Sequence, residues 1–490
     1  MADQSMQTNA SIFWYDLETT GIRSKWDRVV QFAGIRTTED LKESEETVCT
    51  YVRLSDEILP DPNACLVTGL APQQINQEGI SEPLALSHIN RIFSVQGTCV
   101  AGFNNLRFDD EFIRFGFYRN FIDPYGREWR NQNSRWDLID LVRATAALRP
   151  EGISWPEQDN LPSFKLEHLS SANELAHGQA HDALSDVRAT IALARLIRQK
   201  QPRLYDYYYK LRRKSAIQPL LLPLGKNLLL HVSRMYPRER NCLAPVISVA
   251  RHPTNTNSII VLDLASEIDA VLEWPAERIA ESLFSAGDQF RPGLKEVRMN
   301  RCPFLAPLST VRKVDAQRLA LDVDQVERNF ARVTGQPDLA EKISKVYEHP
   351  EQFETEDVEG QLYDSFISDS DRHACDEVWK LFHACIDPGA VCFDDPRLTE
   401  LLVRFRARNR IEWLAPAELE HWKDYLRDSV CSAKGYHGRS LDEFEVKLAA
   451  LKQVSRSSLL ARLESYGAEV KAHMDELLGV CDRSGSGSEV

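Results

Sequence analysis

The stretch F-W-Y-D-L-E-T-T-G, residues 13–21, ends an apolar run with two carboxylates, Asp16 and Glu18. A β-strand has a period of two, so a strand here places both acids on one face near its carboxyl end. Apolar residues precede them on both faces, which predicts a central strand that is covered on both sides. The T-T-G that follows ends the strand.

Two carboxylates in such a place repel each other, and each resists removal from water. A positive group must therefore compensate them. A nearby Arg or Lys is one possibility, and one or two divalent metal ions are the other. This stretch alone leaves both open.

The composition is that of a globular protein of 490 residues with a net charge of −14. This length predicts about three domains. The N-terminal residues lack the basic and then apolar pattern of a signal peptide, and no apolar run reaches the roughly 18 residues of a membrane span. The scattered cysteines form no C-x-x-C motif, so we expect reduced thiols in a cytoplasmic protein.

One segment opposes the acidic average. Between Arg195 and Arg251 the chain has thirteen Lys and Arg but only two acids. This asymmetry predicts a phosphate-binding groove, with a solvated helix face and a basic linker as the alternative. The aromatic run L-Y-D-Y-Y-Y-K-L-R-R-K, residues 204–214, favours the groove, since rings beside cations suit single strands.

The pattern of apolar residues divides the chain into successive domains. Residues 12–195 alternate strands and helices, which predicts a mixed α/β domain, and we expect residues 134–148 to form one amphipathic helix. Short apolar pieces between turn residues predict a β-rich domain with a basic surface at 202–350. Residues 354–478 read as a helical domain, and 479–490 as a disordered tail.

Three further acids and a histidine occur in patterned positions. Asp109 and Asp110 stand at the start of a predicted helix, after a buried strand. His181 precedes the clearest predicted helix, and Asp186 lies one turn inside it. Taken singly, each has a structural explanation: a helix cap for Asp109, a loop position for His181 and an ion pair for Asp186.

Together these residues form an ordered set of motifs: D-x-E on a strand, N-x-x-F-D near a helix start and H-x-x-x-x-D at a late helix. In this order and spacing the chain resembles the DnaQ-like, or DEDDh, 3′→5′ exonucleases. The stretches N-S-R-W-D-L-I-D-L, L-P-S-F-K-L-E-H-L and Q-L-Y-D-S-F-I-S-D-S-D-R make it similar to the bacterial exonuclease I family in particular. That similarity covers nearly the whole chain and is weakest after about residue 430.

The resemblance implies a fold and a chemistry. It implies an RNase H-like exonuclease domain, an SH3-like β domain and a C-terminal helical domain. It also implies two Mg²⁺ ions, replaceable by Mn²⁺, which activate water and stabilise the departing 3′ oxygen. The implied metal ligands are Asp16, Glu18, Asp109 and Asp186, and His181 is the implied general base. Asp110 and the nearby His177 fit the family pattern less well.

The resemblance also implies substrate and partners. The family degrades single-stranded DNA processively from the 3′ end to 5′ mononucleotides, in DNA repair and recombination, within a positively charged C-shaped channel. It binds the acidic C-terminal tail of the single-stranded DNA-binding protein, and we expect a monomer. The implied substrate contacts are Glu18, Tyr125, Trp129, Arg143, Lys165, Tyr207 and Lys214. Core packing is the alternative for Tyr125 and Trp129.

The sequence departs from the family pattern at two positions, and three alternative functions remain open. Thr20 follows Thr19 where the family usually has an aromatic residue, and Lys165 replaces an Arg, which loses the bidentate fork to phosphate. The alternatives are another DEDDh nuclease, for proofreading or RNA trimming; a non-catalytic single-strand-binding module; and a scaffold whose acids pair with cations such as Arg23 and Lys25.

Overall fold

The computed structural model describes residues 10–175, 182–284, 290–348, 357–432 and 439–479. Except for its first residue, the predicted disordered tail lies outside these ranges. Within them, no helix has the length and apolar character needed to cross a membrane.

A six-stranded mixed sheet forms the centre of the N-terminal α/β domain. Its strand order is β4-β3-β2-β1-β5-β6; β1, β2 and β3 pair antiparallel, whereas β5 is parallel to β1 and β6 is parallel to β5. The strands are β1 (Ser11–Thr19), β2 (Val29–Thr38), β3 (Glu43–Arg53), β4 (Ile80–Ser81), β5 (Thr98–Gly102) and β6 (Ser134–Asp137). A short hairpin, β7 (Glu157–Gln158) and β8 (Leu161–Pro162), follows.

Helices cover both faces of this sheet. They are α1 (Pro62–Thr68), α2 (Pro72–Glu78), α3 (Glu82–Phe93), α4 (Asp109–Arg119), α5 (Leu138–Leu148), α6 (Leu166–Ala172), α7 (Ala183–Lys200) and α8 (Pro202–Lys210). Ile12 and Trp14 of β1 belong to one buried cluster, and Phe13 and Tyr15 to another on the opposite face. The prediction of a central strand covered on both sides is therefore confirmed.

The prediction of one helix over residues 134–148 is wrong in its first part. Ser134–Asp137 forms the buried edge strand β6, and only Leu138–Leu148 is helical. Asp137 ends the strand and caps the helix, because its carboxylate accepts a hydrogen bond from the Ile139 amide at 3.0 Å. A strand this short, with no turn residue before the helix, leaves no periodic signal of its own.

The aromatic run at 204–214 is not part of a linker. Tyr205 and Tyr208 of helix α8 are buried, and their rings contact Trp136 of β6. Tyr209 contacts the same indole, as the spacing of three and four residues allows. The Tyr207 hydroxyl donates to the Leu305 carbonyl at 2.6 Å, so this predicted DNA contact is engaged with the protein backbone.

A five-stranded antiparallel sheet forms the β-rich domain, with strand order β12-β11-β10-β9-β13. Its strands are β9 (Leu228–Val232), β10 (Leu243–Arg251), β11 (Ser258–Asp263), β12 (Leu294–Arg298) and β13 (Leu305–Pro307). Its helices are α9 (Lys214–Leu221), α10 (Asp269–Glu273), α11 (Ala276–Phe284), α12 (Lys313–Arg318), α13 (Val323–Thr334) and α14 (Leu339–Val346). One apolar cluster continues from the α/β domain into this sheet.

The C-terminal domain is helical and attaches to the α/β domain through buried charges. Its helices are α15 (Asp369–His383), α16 (Pro396–Asn409), α17 (Pro416–Leu426), α18 (Leu441–Val454) and α19 (Ser458–Leu478). Glu359 is buried and binds Arg28 of the α/β domain and Arg408 of α16, each at 2.6 Å. This arrangement matches the sequence prediction of a helical C-terminal region.

The placement of the aromatic run predicts that substitutions at two residues of α8 have different effects on protein stability. Tyr208 is fully buried and its hydroxyl donates to the Cys302 carbonyl at 2.8 Å, whereas Asp206 is exposed. Tyr208→Ala should lower the free energy of unfolding by about 3–5 kcal/mol, since it leaves a cavity. Asp206→Ala should change it by less than about 0.5 kcal/mol. Urea unfolding of both variants checks this; a Tyr208→Ala protein of unchanged stability and weakened DNA affinity would contradict it.

Candidate active site

Three carboxylates from two elements meet at the carboxyl end of β1. Oxygen atoms of Asp16, Glu18 and Asp186 all lie within 4.8 Å of one another. Asp16 and Glu18 lie on one face of β1, and Asp186 lies in the first turn of α7. Asp182 caps that helix by accepting a hydrogen bond from the Ser185 amide at 3.2 Å, which fixes where its first turn lies.

Asp109 lies beside this cluster. One of its carboxylate oxygens accepts a hydrogen bond from the Leu17 amide, between the two acids of β1, at 3.2 Å. Its charge also raises the pKa of Asp16. Among the residues that the structure describes, none forms an ion pair with Asp16, Glu18 or Asp109. The scaffold alternative, with acids paired to Arg23 or Lys25, therefore has no support here.

Burial and mutual repulsion raise the pKa values of carboxylates in this cluster. Burial, and then the charges of Asp16 and Asp186, raise the pKa of Glu18 to about 9. Burial, and then Asp109 and Asp186, hold the pKa of Asp16 well above its usual range. A bound cation favours the ionised carboxylates and so reverses the effect of burial and repulsion. Carboxylate oxygens are also the donors that hard divalent cations prefer. The donor set therefore fits a divalent metal ion.

Asp110, the next residue in α4, has a different environment. It binds Arg127 at 2.8 Å and Arg135 at 2.6 Å, and accepts a hydrogen bond from the Tyr15 hydroxyl at 2.8 Å. Although burial opposes ionisation, the two guanidinium groups hold the pKa of Asp110 below its usual range. Asp110 is thus neutralised by the protein itself, while Asp109 is not.

The predicted general base, His181, lies outside the described residues, and so does His177. The described chain resumes at Asp182, four residues before Asp186.

Asp186 faces a cleft of about 740 Å³ between the α/β and β-rich domains. Two predicted DNA contacts, Arg143 and Lys165, line this cleft. Arg234 and Arg238 from the β-rich domain complete its basic lining. These last two were not among the predicted DNA contacts, although both belong to the basic segment between Arg195 and Arg251.

A second, smaller cleft of about 200 Å³ adjoins the first and is also basic. Asp140 joins the two, since it accepts hydrogen bonds at 2.9 Å from Arg143 in the first cleft and from Arg107 in the second. Lys295 lines the second cleft, and its ammonium group forms no hydrogen bond or ion pair within the described part of the chain. Burial, and then the charge of Arg107, lower the pKa of Lys295 to about 8. No sequence signal links residues so far apart in the chain.

The remaining predicted contacts lie elsewhere on the surface. Trp129 is 65% exposed, and the Arg130 guanidinium lies 5.3 Å from its ring centroid. Tyr125 is partly buried against the C-terminal domain, beneath Arg114. The Lys214 ammonium donates to the Asn257 side chain. None of the three lines either cleft as far as the described residues go.

Comparison with known proteins places this geometry in a family. Three family models match consecutive parts of the chain: an exonuclease model over residues 13–194, the exonuclease I SH3-like domain over 212–349 and the exonuclease I C-terminal domain over 356–470. Exodeoxyribonuclease I of Haemophilus influenzae is 39% identical over 478 residues, which cover 95% of this chain and all of that protein. This chain belongs to the exonuclease I family.

Solved structures of exonuclease I agree with this assignment. The enzyme from Methylocaldum szegediense is 41% identical with a TM-score of 0.89, and covers 94% of this chain and 99% of its own. Escherichia coli exonuclease I in complex with a dA16 oligonucleotide is 38% identical with a TM-score of 0.88, and covers 94% of this chain and 100% of its own. The fold, the family and the enzyme class predicted from the sequence are confirmed.

The contrast between two adjacent acids of this exonuclease I family member predicts opposite effects on stability. Asp110→Asn leaves the buried Arg127 without its ion-pair partner and Arg135 with Glu128 alone, so it should lower the free energy of unfolding by about 3–5 kcal/mol. Asp109→Asn removes a repulsive charge and should leave stability equal or higher. Urea unfolding in EDTA measures both, and equal destabilisation by the two variants would contradict the assignment.

Proposed function

We propose that this chain hydrolyses single-stranded DNA in the 3′→5′ direction and releases 5′ mononucleotides. The observation that carries the proposal is a partly buried carboxylate cluster that faces a basic cleft, in which Asp16 and Glu18 have no ion-pair partner among the described residues. One solved relative was crystallised with a single-stranded dA16 oligonucleotide, which supports the substrate class.

The carboxylates hold the metal in this proposal. Asp16, Glu18, Asp109 and Asp186 are the proposed ligands of two Mg²⁺ ions, for which Mn²⁺ can substitute. When bound, such ions lower the pKa of an attacking water and stabilise charge on the departing 3′ oxygen. The zinc-bound form of an E. coli exonuclease I–single-stranded DNA complex supports a divalent cation as the cofactor. His181 is the proposed general base.

The basic lining holds the DNA backbone in this proposal. Arg143 and Lys165 in the first cleft and Arg107 and Lys295 in the second offer cationic donors to successive phosphates. Because these contacts go to phosphates, they carry no sequence preference. The single ammonium group of Lys165 cannot bind a phosphate through two parallel hydrogen bonds. In this proposal, the guanidinium of Arg143 makes that bidentate contact instead.

Other contacts from the sequence analysis remain proposals. The exposed ring of Trp129, with Arg130 over it, suits base stacking. Tyr125, Lys214 and Glu18 are proposed as further substrate contacts. For Tyr207, its bond to the Leu305 carbonyl supports packing against β13 as its main role.

We also propose a protein partner and domain limits. One solved relative is described as SSB/exonuclease I in complex with an inhibitor. Its likeness to this chain supports binding to the acidic tail of the single-stranded DNA-binding protein, with DNA repair and recombination as the biological setting and a monomer as the working state. The proposed domains are 12–195, 202–350 and 354–478, with the tail at 479–490.

The cluster predicts a strictly metal-dependent nuclease. With Mg²⁺, a 3′-labelled single strand should release mononucleotides, and EDTA should stop the release. Asp16→Ala and His181→Ala should each lose most of the rate, because one removes a metal ligand and the other the general base.

Duplex DNA and RNA ends serve as comparison substrates, and both should be cut far more slowly. A protein that binds the strand yet releases nothing with Mg²⁺ or Mn²⁺ would instead be a non-catalytic binding module.

The two clefts predict a measurable electrostatic footprint. For single strands, each phosphate contact contributes about 0.7 to the slope of log Kd against log salt concentration. Arg143→Gln and Lys295→Gln should each lower that slope by about this amount, measured by anisotropy of a labelled dT oligonucleotide in EDTA.

Lys345→Gln is the matched control, because Lys345 is an exposed residue of α14 that pairs with Glu341 and lines neither cleft. Unchanged slopes for both cleft variants would place the strand elsewhere.

A further inference from the structure

The loop that follows β1 determines where the catalytic strand ends. The pairing of β1 with β2 shifts register between Glu18 and Thr19, so the ladder is irregular beside a cluster acid. Beyond it, the Arg28 amide donates to the Thr20 hydroxyl at 2.9 Å, and the Thr20 amide donates to the Arg28 carbonyl at 2.9 Å. Thr20, the residue that departs from the family pattern, thus closes this loop on itself.

A residue of the C-terminal helical domain reaches into this loop. Arg439 donates to the Thr20 carbonyl at 2.8 Å and binds Asp27 at 2.6 Å. Its side chain is 9% exposed. The Thr20 carbonyl also accepts a hydrogen bond from the Asp61 amide at 2.7 Å, so both of its lone pairs are used.

The approach of Arg439 explains the glycine of the T-T-G stretch. A Cβ added to Gly21 would lie 2.5 Å from an Arg439 guanidinium nitrogen and equally close to an Asp27 carboxylate oxygen. No real Cβ makes contacts this short, so any side chain at this position would displace Arg439, Asp27 or the loop.

Arg439 is itself held in place. It immediately precedes Ser440, which caps helix α18 in a capping box with Glu443. Leu441 and Phe444 of that helix lie in one buried cluster with Leu59 and Cys65 of the α/β domain. The guanidinium therefore sits at the end of a helix that is anchored to the domain it contacts.

We propose that Arg439 is a positioning residue for the carboxylate cluster, through which the C-terminal domain sets the geometry of the metal site. The inference rests on the proposed function, because it assumes that Asp16 and Glu18 bind metal. Metal sites require their ligands within about 0.5 Å of the productive geometry. The cluster acids repel one another until a cation binds, and the strand that carries two of them ends in an irregular ladder. Arg439 restrains that end from outside the domain.

Three variants test this proposal. Arg439→Gln removes the charge and the fork. Arg439→Lys keeps the charge but cannot bind the carbonyl and the carboxylate in the same geometry. Lys447→Gln is the matched control, since Lys447 of α18 pairs with Asp61 at 3.2 Å.

The readouts are kcat and KM on a dT oligonucleotide, the Mg²⁺ concentration at half-maximal rate, the Mg²⁺-induced rise in Tm and the Kd for DNA in EDTA. Arg439→Gln should lower kcat or metal affinity by about 10–100-fold, as loss of a residue supporting metal ligands does. Its DNA Kd should stay within about twofold of wild type, and its Mg²⁺-induced Tm rise should shrink. Arg439→Lys should show a smaller loss, and Lys447→Gln should match wild type.

Contrary outcomes are equally specific. If both Arg439 variants fold and keep the wild-type kcat and Mg²⁺ response, Arg439 contributes to stability only and does not position the cluster. A loss of DNA affinity parallel to the loss of rate would place its effect in substrate binding. Either result overturns the proposal. If Arg439→Gln fails to fold, Arg439→Lys gives the same test. A wild-type protein that releases no nucleotide refutes the proposed function instead, and the Mg²⁺-induced Tm rise still tests the inference.

Discussion

Repulsion among the carboxylates at the carboxyl end of β1 is the constraint on which the rest of this structure depends. Asp16, Glu18 and Asp186 bring their oxygens within 4.8 Å of one another, and Asp109 bonds to the backbone between the first two. Burial makes this arrangement costly, because it raises the free energy of each ionised form. The fold holds the acids together with a central strand, the starts of two helices and the contact of Arg439 with the loop after β1. Within the described residues no Lys or Arg pairs with Asp16, Glu18 or Asp109, so a bound cation has to compensate their charge.

Three other buried acids are instead paired with arginine. Asp110 has two guanidinium partners, Asp140 binds Arg107 and Arg143, and Glu359 binds arginines from two domains. A buried acid with its own arginine contributes to the structure, whereas Asp16 and Glu18, which have no arginine partner among the described residues, fit a bound cation. Adjacent residues of α4 show both cases, since the helix turns Asp109 toward β1 and Asp110 toward Arg127 and Arg135.

The parts that could be predicted from the sequence are those with a local cause. The period of two along β1 predicted the paired acids and the covered strand, and the resemblance to the DEDDh exonucleases implied that Asp186 would join them. The strand Ser134–Asp137 was missed, because four residues carry too little periodicity. The aromatic run at 204–214 was interpreted as part of a DNA-binding groove. The spacing of Tyr205, Tyr208 and Tyr209 is nevertheless that of a buried helix face. Contacts between distant residues, such as Arg439 with Thr20 or Arg107 beside Lys295, follow from tertiary packing and leave no local pattern.

The central claim is that the carboxylate cluster is a divalent-metal site at the 3′ end of a bound single strand. The most direct measurement is anomalous diffraction from crystals grown with Mn²⁺ and a short dT oligonucleotide. The account predicts Mn²⁺ peaks among the oxygens of Asp16, Glu18 and Asp186, with Asp109 beside them and the 3′ terminus of the strand at the same place. A metal-free cluster at millimolar Mn²⁺, with the oligonucleotide bound elsewhere, would contradict it.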